Sequence, residues 1–384
     1  MKHNIMYFSS VSDLSSGASH SLVKLVSLVQ KAGHNVLVIL TEHGPIEEKL
    51  REENISYHVV KQCSWNVWMK NIADKKDLEY RLKYPLRKAV NRLAVQKIAQ
   101  LAREYQIDII HMNTLTSFVG AEVAKKENIK LVWHMREFME EDLGIEFCYP
   151  DKAVALVNQA DATIAISKAI DDKFSSAFAV NHHEVIYNGV SIEDYFIDKT
   201  PFTAEPIQLL SSGRIMPGKG QKDLLLALAS LPEKVRNRFA CDMIGTVESQ
   251  EYFDELMSIK DKYHLDNVHF HGFQKDTKAF FEKADVLCVC SKKEAFGRIT
   301  VEGMLSGSLV IGTNSGGTKE IIDDGKTGYL YTPGNADELS AILLAVVENL
   351  EQAQTIAKAG QKKAGQTFSD TANANAVLSL YERL

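Results

Sequence analysis

Short apolar runs recur along the chain, and between them the apolar positions fall at helical spacing. In the first half the runs are "NIMYFS", "NVLVIL", "ISYHVV", "IDIIHM", "IKLVWHM", "ATIAIS" and "EVIY". In the second half they are "IQLLSSG", "CDMIG", "NVHFHGF", "DVLCVC", "SLVIGT" and "TGYLY". They are rich in β-branched residues and lack clean alternation with polar ones, the pattern of strands buried on both faces. Strands alternating with helices predict parallel sheets covered on both sides. Two such series predict an α/β chain of two Rossmann-like, doubly wound parallel-sheet domains.

The series meet at the polar stretch "VSIEDYFIDKTPFTAEP", which carries two prolines. It predicts an N-terminal domain over 1–190, a linker over 191–206 and a second domain over 207–365. The last segment, 366–384, ends in a helical pattern that could pack against either domain, and packing back on the N-terminal one is the expectation. One region breaks the rhythm. Residues 63–105 are rich in Lys and Arg, with Trp65 and Trp68 near the start and strongly amphipathic helical parts. Two readings stay open there: a surface helix with a solvated charged face, or a helix within 70–103 that lies on an anionic membrane surface.

At 384 residues the chain exceeds one typical core, which agrees with two domains. A net charge of −6 excludes a dedicated nucleic-acid binder, so any phosphate site must be local. Five cysteines without framework spacing read as reduced thiols. Cys288 and Cys290 share a strand face and read as packing. The chain opens directly on a strand pattern, and no run approaches the ~18 apolar residues of a membrane span. The expected location is cytoplasmic, with peripheral contact on the inner membrane face left open. His269 and His271 share a strand face but no third metal ligand is evident, and His182 and His183 read as loop surface.

Candidate chemistry concentrates after three strands of the second domain. In "KKEAFGRITVEGML" two carboxylates, Glu294 and Glu302, stand eight residues apart, about 80° out of line on one helix. Placing Glu294 in the loop after "DVLCVC" and starting a helix near Gly297 or Arg298 lets both face one crevice at strand carboxyl ends. The helix start between them offers free N–H groups, and carboxylates accept from sugar or ribose hydroxyls. "SSGRIMPGKGQKDLL" places Gly213, Arg214 and Lys219 in a loop that could grip a diphosphate. "GTNSGGTKEII" adds Gly316 and Gly317, where backbone could approach an anion closely.

Together these motifs resemble the nucleotide-sugar domain of GT-B glycosyltransferases of the large retaining family 4, the group 1 glycosyl transferases. "HGF", "VIYNGVS" with Asn188 and "AISKAI" with Ser167 also match. The resemblance implies that the two domains face a central cleft and close on a nucleoside-diphosphate sugar, a UDP- or GDP-sugar, with no cofactor. It implies that Arg214 and Lys219 neutralise the donor pyrophosphate, and that Glu302 binds ribose. Glu294 and the backbone from Ala295 through Phe296 and Gly297 to Arg298 would hold the transferred sugar. His134, at the end of "KLVWHM", matches a first-domain histidine near that sugar. No D-x-D motif occurs, so no metal is expected and the cations would stand in for one. The implied activity is retaining transfer to a hydroxyl of a glycan or lipid-linked acceptor, in bacterial surface polysaccharide or glycan synthesis.

The chain departs from the family in its first glycine loop, which reads "SSVSDLSSGASHSL" with Gly17 alone between Ser16 and Ala18. "NGVS" stands where an acidic "NGVD" is usual. Two alternatives remain on the same fold: a nucleotide-sugar epimerase, which would need no acceptor, and a non-catalytic partner subunit.

Overall fold

The computed structural model describes residues 2–14, 17–69, 82–180 and 182–384. The Trp68 side chain is not described, and of the expected sites Ser16 and the 70–81 part of the basic region lie outside the described residues.

The chain divides into two compact units, Met1–Gly189 with Asp370–Leu384, and Val190–Ser369. In the first, the strands in chain order are β1 (Asn4–Ser9), β2 (Asn35–Leu40), β3 (Ser56–Val59), β4 (Asn66–Trp68), β5 (Ile109–Met112), β6 (Lys130–Met135), β7 (Ile145–Phe147), β8 (Ala162–Ala165) and β9 (His183–Val185). Seven form a parallel sheet in the order β3-β2-β1-β5-β6-β8-β9. The order reverses between β1 and β5, the switch point of a doubly wound sheet. Ile5, Val38, Ile109, Val132 and Ile164 pack in one apolar cluster with Leu22, Leu25 and Val26 of the Gly17–Lys31 helix.

The second unit holds β10 (Ile207–Ser212), β11 (Phe239–Ile244), β12 (Val268–Gly272), β13 (Val286–Val289), β14 (Leu309–Thr313) and β15 (Tyr329–Tyr331). They form a parallel sheet in the order β12-β11-β10-β13-β14-β15, with its switch point between β10 and β13. Cys241, Cys288 and Cys290 are buried free thiols, and Cys241 and Cys288 pack in this unit's core beside Leu209 and Val286. Burial pushes the Cys290 thiol up to about 12, as suits an inert packing residue.

Three expectations need correction. The stretch 191–206 is not a free linker but part of the second unit. Its Tyr195 ring meets Phe281 edge-on at 6.0 Å, and Lys199 donates from a half-buried position to Ala284 O at 2.6 Å. Polar composition marks this stretch as loop-like, yet its side chains find partners on and just after the Lys278–Lys283 helix of the second unit. β4 and β7, an antiparallel pair with Asn66 opposite Phe147, were not expected, because three-residue strands leave no periodic trace. His183 is surface, as expected, but lies on the strand β9 and not in a loop, with Nδ1 2.8 Å from Thr163 Oγ1 and a further bond to Asp171.

The last segment divides as well. The Leu350–Thr367 helix belongs to the second unit, whereas the Asp370–Tyr381 helix packs on Gly17–Lys31 in the first. Its Val377, Leu380 and Tyr381 complete the first unit's apolar cluster.

Candidate active site

In the second unit the predicted loops converge on the carboxyl ends of β10 and β13. A single 3-10 turn, Pro217–Lys219, follows β10. It is tied to the loop after β13 by Lys292 N–H donating to Gly218 O at 2.9 Å. That tie brings Lys219 Nζ to 2.6 Å from Glu294 Oε1, with the two side chains 26% and 16% exposed. Arg214 is more open and pairs through Nη1 with both Glu248 oxygens, at 3.0 and 3.1 Å. Glu248 lies beyond β11, outside every motif the sequence singled out.

The helix after Glu294 runs Arg298–Leu305, and Gly297 precedes it at φ +94, a conformation that L side chains rarely adopt. Glu302 sits in this helix, 12% exposed, with Arg298 Nη2 at 3.5 Å and the Tyr195 hydroxyl donating to it. Burial raises the Glu302 carboxyl above its ordinary range, while Arg298 and Tyr195 pull it back. The Tyr195 phenol is pushed up by burial and by the Glu302 charge. Phe296 is an anchor, buried and in edge contact with Phe368 at 5.9 Å, and Ala295 beside it is half-buried. A Cβ built on Gly297 would lie 3.2 Å from Thr318 Oγ1 and 3.3 Å from Thr300 Oγ1. Both hydroxyls are buried and make no hydrogen bond among the described residues.

Gly316 and Gly317 also meet a packing need that the sequence did not show. A Cβ on Gly316 would meet Glu294 O at 2.3 Å, and one on Gly317 would meet Phe296 O at 2.2 Å. Gly317 N–H donates to Glu294 O at 2.8 Å. The glycines let two strand-end loops touch, so close packing against Glu294 and Phe296 explains both without an anion.

In the first unit, His134 on β6 is fully buried. Its Nδ1 lies 3.2 Å from both His111 Nε2 and Arg136 Nη2, and its Nε2 has no partner among the described residues. Burial, Arg136 and His111 together hold its pKa well below the ordinary value. Arg136 also donates from Nε to Asn113 Oδ1 at 2.9 Å and from Nη1 to Asn188 Oδ1. Asn188 thus holds the guanidinium. Ser167 is buried as the N-cap of the Lys168–Phe174 helix, accepting from Ile170 N–H at 3.1 Å. Capping accounts for that serine, and the guanidinium for that asparagine, without a ligand. Gly17 opens the Gly17–Lys31 helix, and Asn113 Nδ2 donates to Ala18 O at 3.4 Å.

Elsewhere, His271 Nε2 lies 2.7 Å from Asp242 Oδ1, and its ring is 6.4 Å from that of His269. Among the described residues no group of three or more His, Cys, Asp or Glu side chains gathers. Trp65 is core: its ring stacks on Phe118 at 5.0 Å and Trp133 at 5.9 Å, and its Nε1–H donates to Leu115 O at 2.7 Å. The basic Tyr84–Glu104 helix turns Leu86 and Leu93 outward, 69% and 66% exposed. No described helix is long and apolar enough to cross a membrane.

Comparison with known proteins covers both units. Residues 193–363 match the model of the glycosyl transferases group 1, and 15–194 match that of glycosyltransferase family 4. The N-acetyl-alpha-D-glucosaminyl L-malate synthase of Bacillus anthracis is 22% identical over 75% of this chain and 77% of its own length. A glycogen synthase of Mycobacterium tuberculosis is 28% identical over 59% of this chain, a match that spans 55% of the synthase. The crystal structure of Anabaena HepE in complex with UDP superposes with a TM-score of 0.81 at 25% identity, covering 99% of this chain and 100% of that one. With models for both halves and a full-length structural counterpart, the chain belongs to the group 1, family 4 glycosyltransferases of GT-B fold.

Proposed function

We propose that the protein transfers a sugar, with retention at the anomeric carbon, from a nucleoside-diphosphate sugar to a hydroxyl of a glycan or lipid-linked acceptor. The carrying observation is that Lys219, Glu294, Arg214 and the start of the Arg298–Leu305 helix converge at the switch point of one sheet. Breaking the glycosidic bond grows charge on the departing diphosphate. Fixed cations and N–H dipoles stabilise that charge more than the ground state, which is the condition for catalysis. In this reading Lys219 exchanges Glu294 for a phosphate oxygen, and Arg214 exchanges Glu248. Glu294 is then released to accept from sugar hydroxyls, while Glu302 accepts from ribose. The two unbonded hydroxyls of Thr300 and Thr318 add donors beside the helix start. Support for the donor class comes from HepE, also solved with UDP-glucose at 25% identity and a TM-score of 0.77. The leaving group needs no metal if the two cations carry its charge.

The acceptor reading has its own support in the first unit. Leu86 and Leu93 are seven residues apart on the outer face of the Tyr84–Glu104 helix, with Lys88, Arg92 and Lys97 on its exposed surface. A cavity of about 200 Å³ lies against this helix, with Trp65, Phe118 and Tyr149 among its apolar walls and Lys88, Arg92 and Lys152 among its cations. Aromatic walls beside cations suit an amphiphile with an anionic head at a membrane surface.

The deciding experiment is thermal unfolding against UDP-, GDP-, ADP- and dTDP-sugars with EDTA present. A donor at 100 times its dissociation constant adds about 2.7 kcal/mol, and one base should stand out. No shift with any of them sinks the donor reading. Binding to anionic vesicles at low salt, lost at high salt, tests the membrane reading separately.

A further inference from the structure

The cavity beside the Tyr84–Glu104 helix stands wholly in the first unit. Four cations line it: Arg87, Lys88 and Arg92 from that helix, and Lys152 from the Pro150–Val157 helix. One carboxylate faces them, Glu122, and it already holds Lys152 at 3.2 Å. Lys88 and Arg92 stand one turn apart, both exposed, and make no ion pair among the described residues. Like charges at that spacing repel, and an anion set between them relieves the repulsion.

The walls are preformed. Asn91 clamps the chain at Cys63, accepting from its N–H at 2.7 Å and donating to its carbonyl at 3.0 Å. That clamp sets Ser64 and Trp65 against the helix, where both line the cavity. The Phe118 ring stacks on Trp65 at 5.0 Å and carries the Lys152 ammonium at 4.6 Å. Tyr149, 38% exposed, is the outermost ring of the wall. Fixed walls spare a ligand the cost of ordering them. The volume is about 200 Å³, and a cavity of about 150 Å³ already takes one six-membered ring. Aromatic faces suit the C–H side of a sugar ring, and guanidinium and ammonium groups suit an oxyanion carried on it.

The helix also separates this cavity from lipid. Leu86 and Leu93, its exposed apolar residues, lie about 100–160° around the axis from Lys88 and Arg92. A phospholipid phosphate beneath those leucines is on the wrong side of the helix to enter. The anion that fills the cavity stands clear of a lipid surface, as it does on a sugar.

We propose that the cavity binds one acidic sugar unit, a hexose ring carrying a phosphate or a carboxylate. Lys88 and Arg92 hold the anion, and Tyr149 and Phe118 lie against the ring. The anionic head that suits this cavity is then a charged sugar and not a phospholipid phosphate, whatever the donor proves to be.

The test is titration calorimetry of the full chain at low salt with glucose 6-phosphate, glucuronate, glucose and inorganic phosphate. Each charged sugar should bind about tenfold or more tightly than glucose or phosphate alone, because both halves of the site contribute. Lys88→Gln combined with Arg92→Gln should weaken both charged sugars by about tenfold or more. Both side chains are exposed, so Tm without ligand should not move. Leu86→Ser combined with Leu93→Ser should leave both affinities within about twofold, as for independent sites. No binding of either charged sugar, or binding that ignores the Lys88 and Arg92 changes, would overturn the proposal. So would inorganic phosphate binding as tightly as the sugars, which would make this a bare anion site. Displacement of the sugars by phosphatidylglycerol vesicles would overturn it in favour of lipid. A silent sugar-nucleotide panel would sink the donor reading alone and leave these titrations to decide the cavity.

Discussion

The two halves of the candidate chemistry are built by opposite means. Around Lys219 and Glu294 the groups are charged, partly exposed and carried by loops at strand ends, each charge neutralised by a partner it can exchange. Around His134 the groups are buried, and neutral apart from Arg136, and their bonds run through the middle of a sheet. Burial and the Arg136 charge together keep the His111 imidazole down to about 3 and His134 well below its ordinary value. The first arrangement suits a ligand that brings its own charge and must leave again. The second keeps its imidazoles neutral across the working pH. Exchangeable ion pairs and a fixed buried network are different devices, and each unit carries one of them.

That contrast can be broken most sharply at Lys219. Lys219→Ala should lower kcat/KM by about 10²–10³, the cost of one preorganised donor at developing charge, with little change in Tm because the side chain is partly exposed. Steady-state release of nucleoside diphosphate measures the first and calorimetry the second. An intact rate would remove the lysine from the chemistry.

Glu302→Gln should weaken donor binding by about tenfold or more, as hydrogen bonds to charged groups are worth about 1.5–3 kcal/mol. The same change should alter stability in the opposite direction. Burial holds the folded Glu302 pKa above its unfolded value. The folded chain therefore keeps that proton longer, and stability falls as pH rises from the unfolded carboxylate value through the folded one. Glutamine removes that slope, so Tm measured above this window should rise. A variant that binds donor normally, or whose Tm follows the wild-type pH curve, would contradict the assignment.

Smaller effects separate the regions further. Glu248→Gln frees Arg214 from an exposed pair worth about 0–1 kcal/mol, so donor affinity should improve by up to about fivefold, and less at high salt, by titration calorimetry. Weaker binding would make Glu248 part of the donor site instead of a competitor. Tyr7→Phe removes the acceptor of the Tyr381 hydroxyl. It should cost about 1 kcal/mol, or about 2–4 °C in Tm, with transfer within twofold of wild type. A larger loss of transfer would give these buried hydroxyls a role beyond packing.

How much was legible follows the same division. Glu294, Glu302, Arg214 and Lys219 were found because each sits in a short segment after an apolar run, where strand and helix periods reveal the loop between them. The structure then paired Lys219 with Glu294, seventy-five positions apart along the chain, which no local pattern could state. Gly316 and Gly317 were seen, but their packing need was not, because the atoms that exclude a side chain there belong to Glu294 and Phe296. Asn188 and Ser167 were reached through family likeness, and their partners, Arg136 and a helix N-terminus, became visible only when folded. Tyr381, Arg136 and Tyr195 escaped entirely: a tyrosine in an amphipathic helix reads as core until its hydroxyl is seen 2.6 Å from a histidine 270 positions away.

The sequence by itself determined the two parallel sheets and the loops that hold the charged residues, because burial on both faces and the strand-to-helix change leave local periodic marks. Only the tertiary structure decided which charge meets which, why the glycine pair is needed, and which hydroxyls and guanidinium reach the buried histidines. Those depend on distances between segments far apart in the chain, and a hydrogen bond leaves no period in a sequence.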